Sequence, residues 1–237
     1  MLIRPIRNKI HRYFTSNCHL CGLTISQPIG ETIWCRHCIK SFSSSPRCQR
    51  CGLPMSSPAE QCGYCLKKPP LWQRLYCIGD YAEPLSGYVH QLKYQGKFYF
   101  AYDLSYLLAQ QISQPAPLIC TVPLHWRRYI ARGYNQSRVI ADYLNRHLPD
   151  KTVVNNHIFK RLRATPPQQG LDKQQRLKNL AGAFVLRQVP QHSHVAIVDD
   201  VVTTGSTVRH LCKLLLEVGV ERIDIYCLCR TPEPSQA

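Results

Sequence analysis

A chain of 237 residues with 44% apolar content is long enough for one medium domain plus a small one and apolar enough to pack a core, which excludes a disordered protein. No stretch approaches the roughly 18 uncharged apolar residues that a membrane-spanning helix needs. The formal net charge is +16, of which residues 1–70 carry +8, and a field of that sign favours polyanionic partners, nucleic acid among them.

From the N-terminus, "MLIRPIRNKIHRYF" is basic and lacks the apolar h-region and small-residue cleavage site of a secretory signal. It reads as a short helix or arm, and the chain as cytoplasmic. Four cysteine pairs of identical spacing follow: Cys18/Cys21, Cys35/Cys38, Cys48/Cys51 and Cys62/Cys65. Each Cys-x-x-Cys turn aims two thiolates at one metal ion, and two turns complete a tetrahedral site. Pairing successive turns leaves thirteen and ten residues between them, the proportions of zinc ribbons. Pairing the first turn with the third and the second with the fourth stays open. A disulfide framework would need an oxidising compartment, which no secretion signal supports. The expectation is two structural Zn²⁺ ions whose binding folds a segment too poor in large aliphatics to fold alone. His19 and His37, inside the turns, are expected spectators. Tyr13, Phe14, Trp34 and Phe42 offer rings for stacking on bases, although Trp34 and Phe42 also suit the small core of a ribbon.

"LKKPPLWQR" closes this module, because Pro69 and Pro70 break regular structure. The expected division is an arm and double zinc ribbon over residues 1–70 and a larger domain over 71–237. In that domain "YCIGDY" reads as the first strand, and "PLSGYVHQLKYQGKFYFAYDLSYLLAQQI" as helix, basic turn, helix, with Leu104, Leu107, Leu108 and Ile112 in one apolar stripe. "LICTVPLH" is a strand ending at Pro123. "RGYNQSRVIADYLNRHL" opens another amphipathic helix, and "AGAFVL", "HVAIVDD" and "RIDIYCLCR" are further strands. Strands alternating with helices predict an α/β fold, a parallel sheet covered on both faces. Cys77, Cys120, Cys212, Cys227 and Cys229 follow no ligand spacing and are expected to be buried small hydrophobes.

Within "HVAIVDDVVTTGST", residues 194–207, a buried strand ends in two adjacent carboxylates, then a loop of hydroxyls and one glycine leads into a helix. The first N–H groups of a helix lack intrahelical partners and sit at its positive end, which favours a phosphate. Thr203, Thr204, Ser206 and Thr207 add hydroxyl donors, and Gly205 permits close backbone approach. Asp199 and Asp200 would repel a phosphate but accept hydrogen bonds from sugar hydroxyls. A ribose 5-phosphate satisfies both halves. Helix capping alone accounts for one or two of these residues, not for all.

The stretch "VAIVDDVVTTGST" resembles the phosphoribosyl-diphosphate (PRPP) signature of type I phosphoribosyltransferases. Across its length the chain resembles the ComF/GntX family, on the four Cys pairs, "LKYQGK", "VPLHWRRYIARGYNQS", "RATPPQQGLDKQQRLKNLAGAF" and the ribose-phosphate loop. The resemblance implies a double zinc ribbon joined to a phosphoribosyltransferase-type parallel sheet. It implies that Asp199 and Asp200 hold the ribose and that Val201, Val202, Thr203, Thr204, Gly205, Ser206 and Thr207 cradle the 5-phosphate. It further implies roles in competence and in handling internalised single-stranded DNA, with partners in the competence machinery such as a DNA-translocating helicase. It implies no particular phosphoribosyl acceptor.

The remaining basic motifs make sense around a diphosphate. "VPLH" ends a strand on the same sheet edge as Asp199, so the backbone at Pro123, Leu124 and His125 suits pyrophosphate. Lys93, Arg127, Arg128 and Arg132 stand ready to neutralise it. Mg²⁺ would bridge diphosphate and ribose oxygens. Asp199 and Asp200 would be the catalytic pair in any turnover that expels pyrophosphate. Thr203 stands where 6-oxopurine enzymes of this fold carry an Asp base, which argues against purine salvage. Between "KRLRATPPQQ" and "QQRLKN" lies a stretch of six cations and one acid, read as a flap over the site with Gln168, Arg176 and Asn179 as its working residues.

Overall fold

The structure is a computed structural model that describes residues 17–25, 32–42, 45–149, 152–163 and 182–231. It forms two compact units, Met1–Ser44 and Ser45–Ala237. Gln168, Arg176 and Asn179, and with them the expected flap, lie outside the described residues, as do Tyr13 and Phe14.

In the first unit the Cys18–Cys21 turn is followed by Gly22 at φ +73°, a left-handed position that suits glycine. Cys35 then caps a five-residue helix, α1 (Arg36–Lys40). Trp34 and Phe42 are buried and meet edge to face at 5.0 Å, so these rings fill the ribbon core and do not offer themselves to bases.

The second unit repeats the device. Gly52 follows the Cys48–Cys51 turn at φ +73°, and Cys62 caps α2 (Gly63–Lys67). The chain then builds five parallel strands: β1 (Arg74–Asp80), β2 (Leu118–Thr121), β3 (Val153–Asn155), β6 (His194–Val202) and β7 (Arg222–Arg230), in the order β1-β7-β6-β2-β3. Eight of the nine residues of β7 are buried, as a parallel strand covered on both faces requires. Alternate residues face opposite ways. Val195, Ile197, Ile223 and Ile225 pack with Val208, Leu211 and Leu215 of α7 (Ser206–Leu216). Against β1, β7, β6 and β2 also pack α3 (Leu85–Tyr94), α4 (Tyr99–Ala109) and α6 (Gln136–Leu144). The expected stripe of Leu104, Leu107, Leu108 and Ile112 is buried, each side chain contributing about 1.5–3 kcal/mol. The five cysteines outside the ligand spacing are buried too.

One expected strand sits elsewhere. "AGAFVL" yields β5 (Phe184–Leu186), which pairs antiparallel with β4 (Phe159–Arg161) in a separate two-stranded ribbon. Only Phe184 of its three residues is fully buried, a pattern that suits a ribbon lying on α7 and not a central strand.

Candidate functional site

Two features of the sequence become sites in three dimensions. The first is the cysteine turns. Cys18, Cys21, Cys35 and Cys38 form one cluster and Cys48, Cys51, Cys62 and Cys65 another, so successive turns pair and the interleaved arrangement does not occur. Within each cluster the sulfurs lie within 4.8 Å of one another. Cys21 and Cys35 are 3.9 Å apart and Cys51 and Cys62 are 3.7 Å apart, against about 3.8 Å expected for two sulfurs each 2.3 Å from a tetrahedral zinc. In both, a backbone N–H donates to the first sulfur, Cys35 to Cys18 at 3.3 Å and Cys62 to Cys48 at 3.2 Å. Burial pushes the Cys18 thiol up, but N–H donors from Cys21, Cys35 and Leu20 outweigh it and bring the thiol down to about 6. Donor type and spacing fit structural zinc. His19 and His37 belong to neither cluster.

The second site is a cleft of about 680 Å³ at the carboxyl end of the sheet. There β6 delivers Asp199 and Asp200, and the turn that follows delivers the start of α7. Gly205, at φ +72°, is the N-cap of α7, and its Cα faces Trp72 so closely that a Cβ would lie 2.8 Å from the ring. Thr203, Gly205, Ser206 and Thr207 line the cleft with Val201 and Val202. Thr204 is not among the lining residues. Its hydroxyl bonds Ser206 Oγ at 2.7 Å and shapes the loop from behind.

Asp200 is buried and Asp199 half-buried, and the two are electrostatically unequal. Burial and the charge of Asp200 raise Asp199 to about 7, although Ser137 Oγ donates to its Oδ1 at 3.2 Å. Burial also works against Asp200, but Lys93 Nζ at 2.8 Å, Val201 N–H at 2.8 Å and Gln136 reverse the effect and hold it below the usual carboxylate range. Arg128, Arg132 and Arg161 line the same cleft with Pro123 and Leu124. Burial and then its neighbour Arg128 push Arg161 down to about 10, and Arg128 is lowered by burial and Arg132. Guanidiniums that depress one another in this way gain from a bound anion.

Two expected site residues turn elsewhere. His125 caps α5 (Trp126–Arg132), its Nδ1 accepting from Arg127 N–H at 3.3 Å, and it is not among the cleft residues. Arg127 stacks over Trp126 at 5.3 Å. Others were not anticipated. Asn135 caps α6 and ties it to β2 through Val122 O at 3.0 Å, which places Gln136 and Ser137 against the carboxylates. Tyr81, Tyr94 and Arg161 also line the cleft. The signal was the run Asn-Gln-Ser opening an amphipathic helix, more polarity than a single cap needs.

Comparison with known proteins agrees with this geometry. Residues 136–236 match the family described as phosphoribosyl transferase domain. The DNA utilization protein YhgH of Salmonella typhi is 40% identical over 225 residues, covering 90% of this chain and 96% of that protein. The protein of the same name from Escherichia coli (strain K12) is 39% identical over 223 residues, with the same coverage. Competence protein F of Haemophilus influenzae is 38% identical over 231 residues, 92% of this chain and 98% of that protein.

Proposed function

The chain belongs to the ComF/GntX family, and from that premise we propose that its cleft binds PRPP with Mg²⁺ and that this binding serves the handling of single-stranded DNA in the cytoplasm. One observation carries the reading: two adjacent carboxylates, Asp200 buried and Asp199 half-buried, share one cleft with a helix-start loop and a cluster of arginines. A ligand with sugar hydroxyls, a phosphate and a diphosphate matches that arrangement group by group.

The residues divide the work by chemistry. Asp199 and Asp200 accept hydrogen bonds from the ribose hydroxyls, and their ionised forms make these charge-assisted. The loop from Thr203 to Thr207 holds the 5-phosphate through backbone N–H groups, the hydroxyls and the positive end of α7. Arg128, Arg132 and Arg161 receive the diphosphate, forked guanidiniums suiting its oxygens better than point charges. The carboxylate pair fits a divalent cation, since the charge of Asp200 already pushes Asp199 up and Lys93 offsets it from one side only. Asp199 and Asp200 would hold Mg²⁺ beside the ligand, and the ion would supply the missing positive charge. Where turnover occurs, the same groups orient ribose C1 and offset the charge that develops on the ring as pyrophosphate leaves. Thr203 offers no carboxylate base, so an acceptor would have to be nucleophilic without one.

The DNA role draws on the names of the relatives and on charge. Relatives are called DNA utilization and competence proteins, and the chain carries +16. Helix α5 has no buried residue. It presents Trp126 and Tyr129 to solvent, 58% and 48% exposed, beside Arg127, Arg128 and Arg132. Basic surfaces with exposed rings suit single strands of any sequence. A protein of the competence machinery, such as a DNA-translocating helicase, would hand over the strand.

Titration calorimetry with PRPP and Mg²⁺ tests the site. Wild type binds, and Asp199→Asn/Asp200→Asn does not while keeping its two zinc ions. Equal affinity in both proteins overturns the assignment.

A further inference from the structure

Next to the phosphate loop lies a second cavity of about 230 Å³, lined by Thr204, Trp72 and Arg230 together with Leu53 and with Cys51 and Cys65 of the second cysteine cluster. All of these residues belong to the Ser45–Ala237 unit. Arg230, the last residue of β7, is buried. Its Nε donates to the carbonyl of Cys51 at 3.0 Å, and its Nη1 donates to the carbonyls of Val202 at 3.2 Å, of Thr203, and of Thr231 at 2.6 Å. A guanidinium has five donors and no acceptor, so this one acts as a clamp for carbonyl oxygens.

The clamp fixes the direction of the loop's amides. In a trans peptide the C=O and N–H point opposite ways, and the cis bond among the described residues, Glu83–Pro84, is not in this loop. Holding the carbonyls of Val202 and Thr203 against Arg230 therefore turns the N–H groups of Thr203 and Thr204 away from it, toward the side where Thr203, Gly205 and Thr207 line the cleft. The neighbouring carbonyl of the cysteine turn is engaged in the same way. Trp72 Nε1 donates to Arg50 O at 2.7 Å, and the indole lies against Gly205. The Cys48–Cys51 turn thus offers its sulfurs to a metal and its carbonyls to the two side chains that shape the loop.

We propose that the second cysteine cluster sets the geometry of the phosphate loop, with Arg230 as the positioning residue that joins them. This rests on the reading that the loop holds the 5-phosphate of PRPP. Coupling between two sites is reciprocal. If a filled cluster favours the binding geometry, bound PRPP must hold the ion of that cluster more tightly. The Cys18–Cys38 cluster, in the other compact unit, is the internal control.

The test uses full-length, zinc-loaded protein. Zinc release to the chromogenic chelator 4-(2-pyridylazo)resorcinol is followed with and without saturating PRPP and Mg²⁺, and PRPP affinity is measured in parallel by calorimetry. In wild type, PRPP should slow the release of one of two ions about tenfold, the size of an ordinary coupling, and leave the other unchanged. Arg230→Lys should keep both ions, bind PRPP about tenfold more weakly and lose the protection even at saturation. Wild type that binds PRPP but releases both ions at unchanged rates overturns the coupling alone. So does an Arg230→Lys chain that binds and protects as wild type does. Wild type that binds no PRPP overturns the ligand reading and the coupling built on it. Should Arg230→Lys fail to fold, the wild-type release rates decide the matter without it.

Discussion

Lys93 Nζ sits 2.8 Å from Asp200 Oδ2, reaching from the last turn of α3 to the end of β6. Burial works against the lysine's charge, and the Asp200 carboxylate outweighs it and raises Lys93 above its usual range. The pair lets Asp200 stay buried beside a second carboxylate before any ligand arrives.

Lys93→Met keeps most of the stem and removes the charge. At about pH 8 it should destabilise the protein by about 2–4 kcal/mol, because Asp200 is left buried beside Asp199 without compensation. In this variant the carboxylates of the folded state hold protons above their unfolded values. The deficit is therefore small at low pH and grows as pH rises through the raised folded values. Urea unfolding at about pH 5.5 and pH 8 checks this; an equal loss at both pH values would contradict the charge argument.

Asp199, raised to about 7 by burial and by Asp200, carries a proton in the free protein below that pH. Ribose hydroxyls and Mg²⁺ favour its ionised form. PRPP binding should then release about one proton at pH 6 and almost none at pH 8.5, and affinity should rise with pH through about 7. Calorimetry in buffers of different ionisation enthalpy counts the protons, once those carried by the free ligand are subtracted. A count independent of pH would rule out a protonated Asp199.

Removal of residues 1–44 should leave PRPP binding intact, whereas removal of 1–70 should destroy it. The longer deletion takes Arg50 and Cys51, whose carbonyls hold Trp72 and Arg230, and Arg47, which bonds Asp80 at 2.9 Å. The first two losses strand the buried donors Trp72 Nε1 and Arg230 Nε at a cost of about 1–3 kcal/mol each, and the third leaves the Asp80 carboxylate without Arg47. Comparison of the two fragments by calorimetry and circular dichroism decides, and equal behaviour of the two would refute the argument.

Single-stranded DNA should bind weakly and with strong salt dependence, since neutralised phosphates release counterions. Trp126→Ala and Tyr129→Ala should each weaken binding by about 1–3 kcal/mol at all salt concentrations if the rings stack on bases. Arg127→Gln, outside the cleft, should instead flatten the salt dependence. Fluorescence anisotropy of a labelled oligonucleotide separates the two effects, and no binding at low salt would remove the DNA role.

Local chemistry was readable from the sequence wherever spacing alone decides it. Eight cysteines at one repeat gave both clusters, and a strand, two carboxylates and a hydroxyl loop gave the wall of the cleft. What the sequence hid depends on distant contacts. Ser137 looks like a residue of a helix start until Asp199, 62 positions on, is placed beside it. Arg47 and Arg50 look like surface charges of a zinc ribbon. Their engagement with Asp80 and Pro70 O binds the second ribbon into the larger unit, which begins at Ser45. His125 shows the converse, a residue with a chemically attractive side chain that is used to start a helix.

The strand order β1-β7-β6-β2-β3 puts β7, the last of these strands in the chain, between the first and the rest. During synthesis β1 leaves the ribosome with no neighbour in the sheet until β7 follows, about 150 residues later by their register. At moderate elongation rates of about 10 residues per second that is a wait of some 15 seconds. The same event that closes the sheet also brings Arg230 to Cys51, so the phosphate loop takes its final shape only once β7 has been made. Until then an apolar strand edge is open to pairing with other chains, which makes this interval the one in which the nascent protein most needs a chaperone.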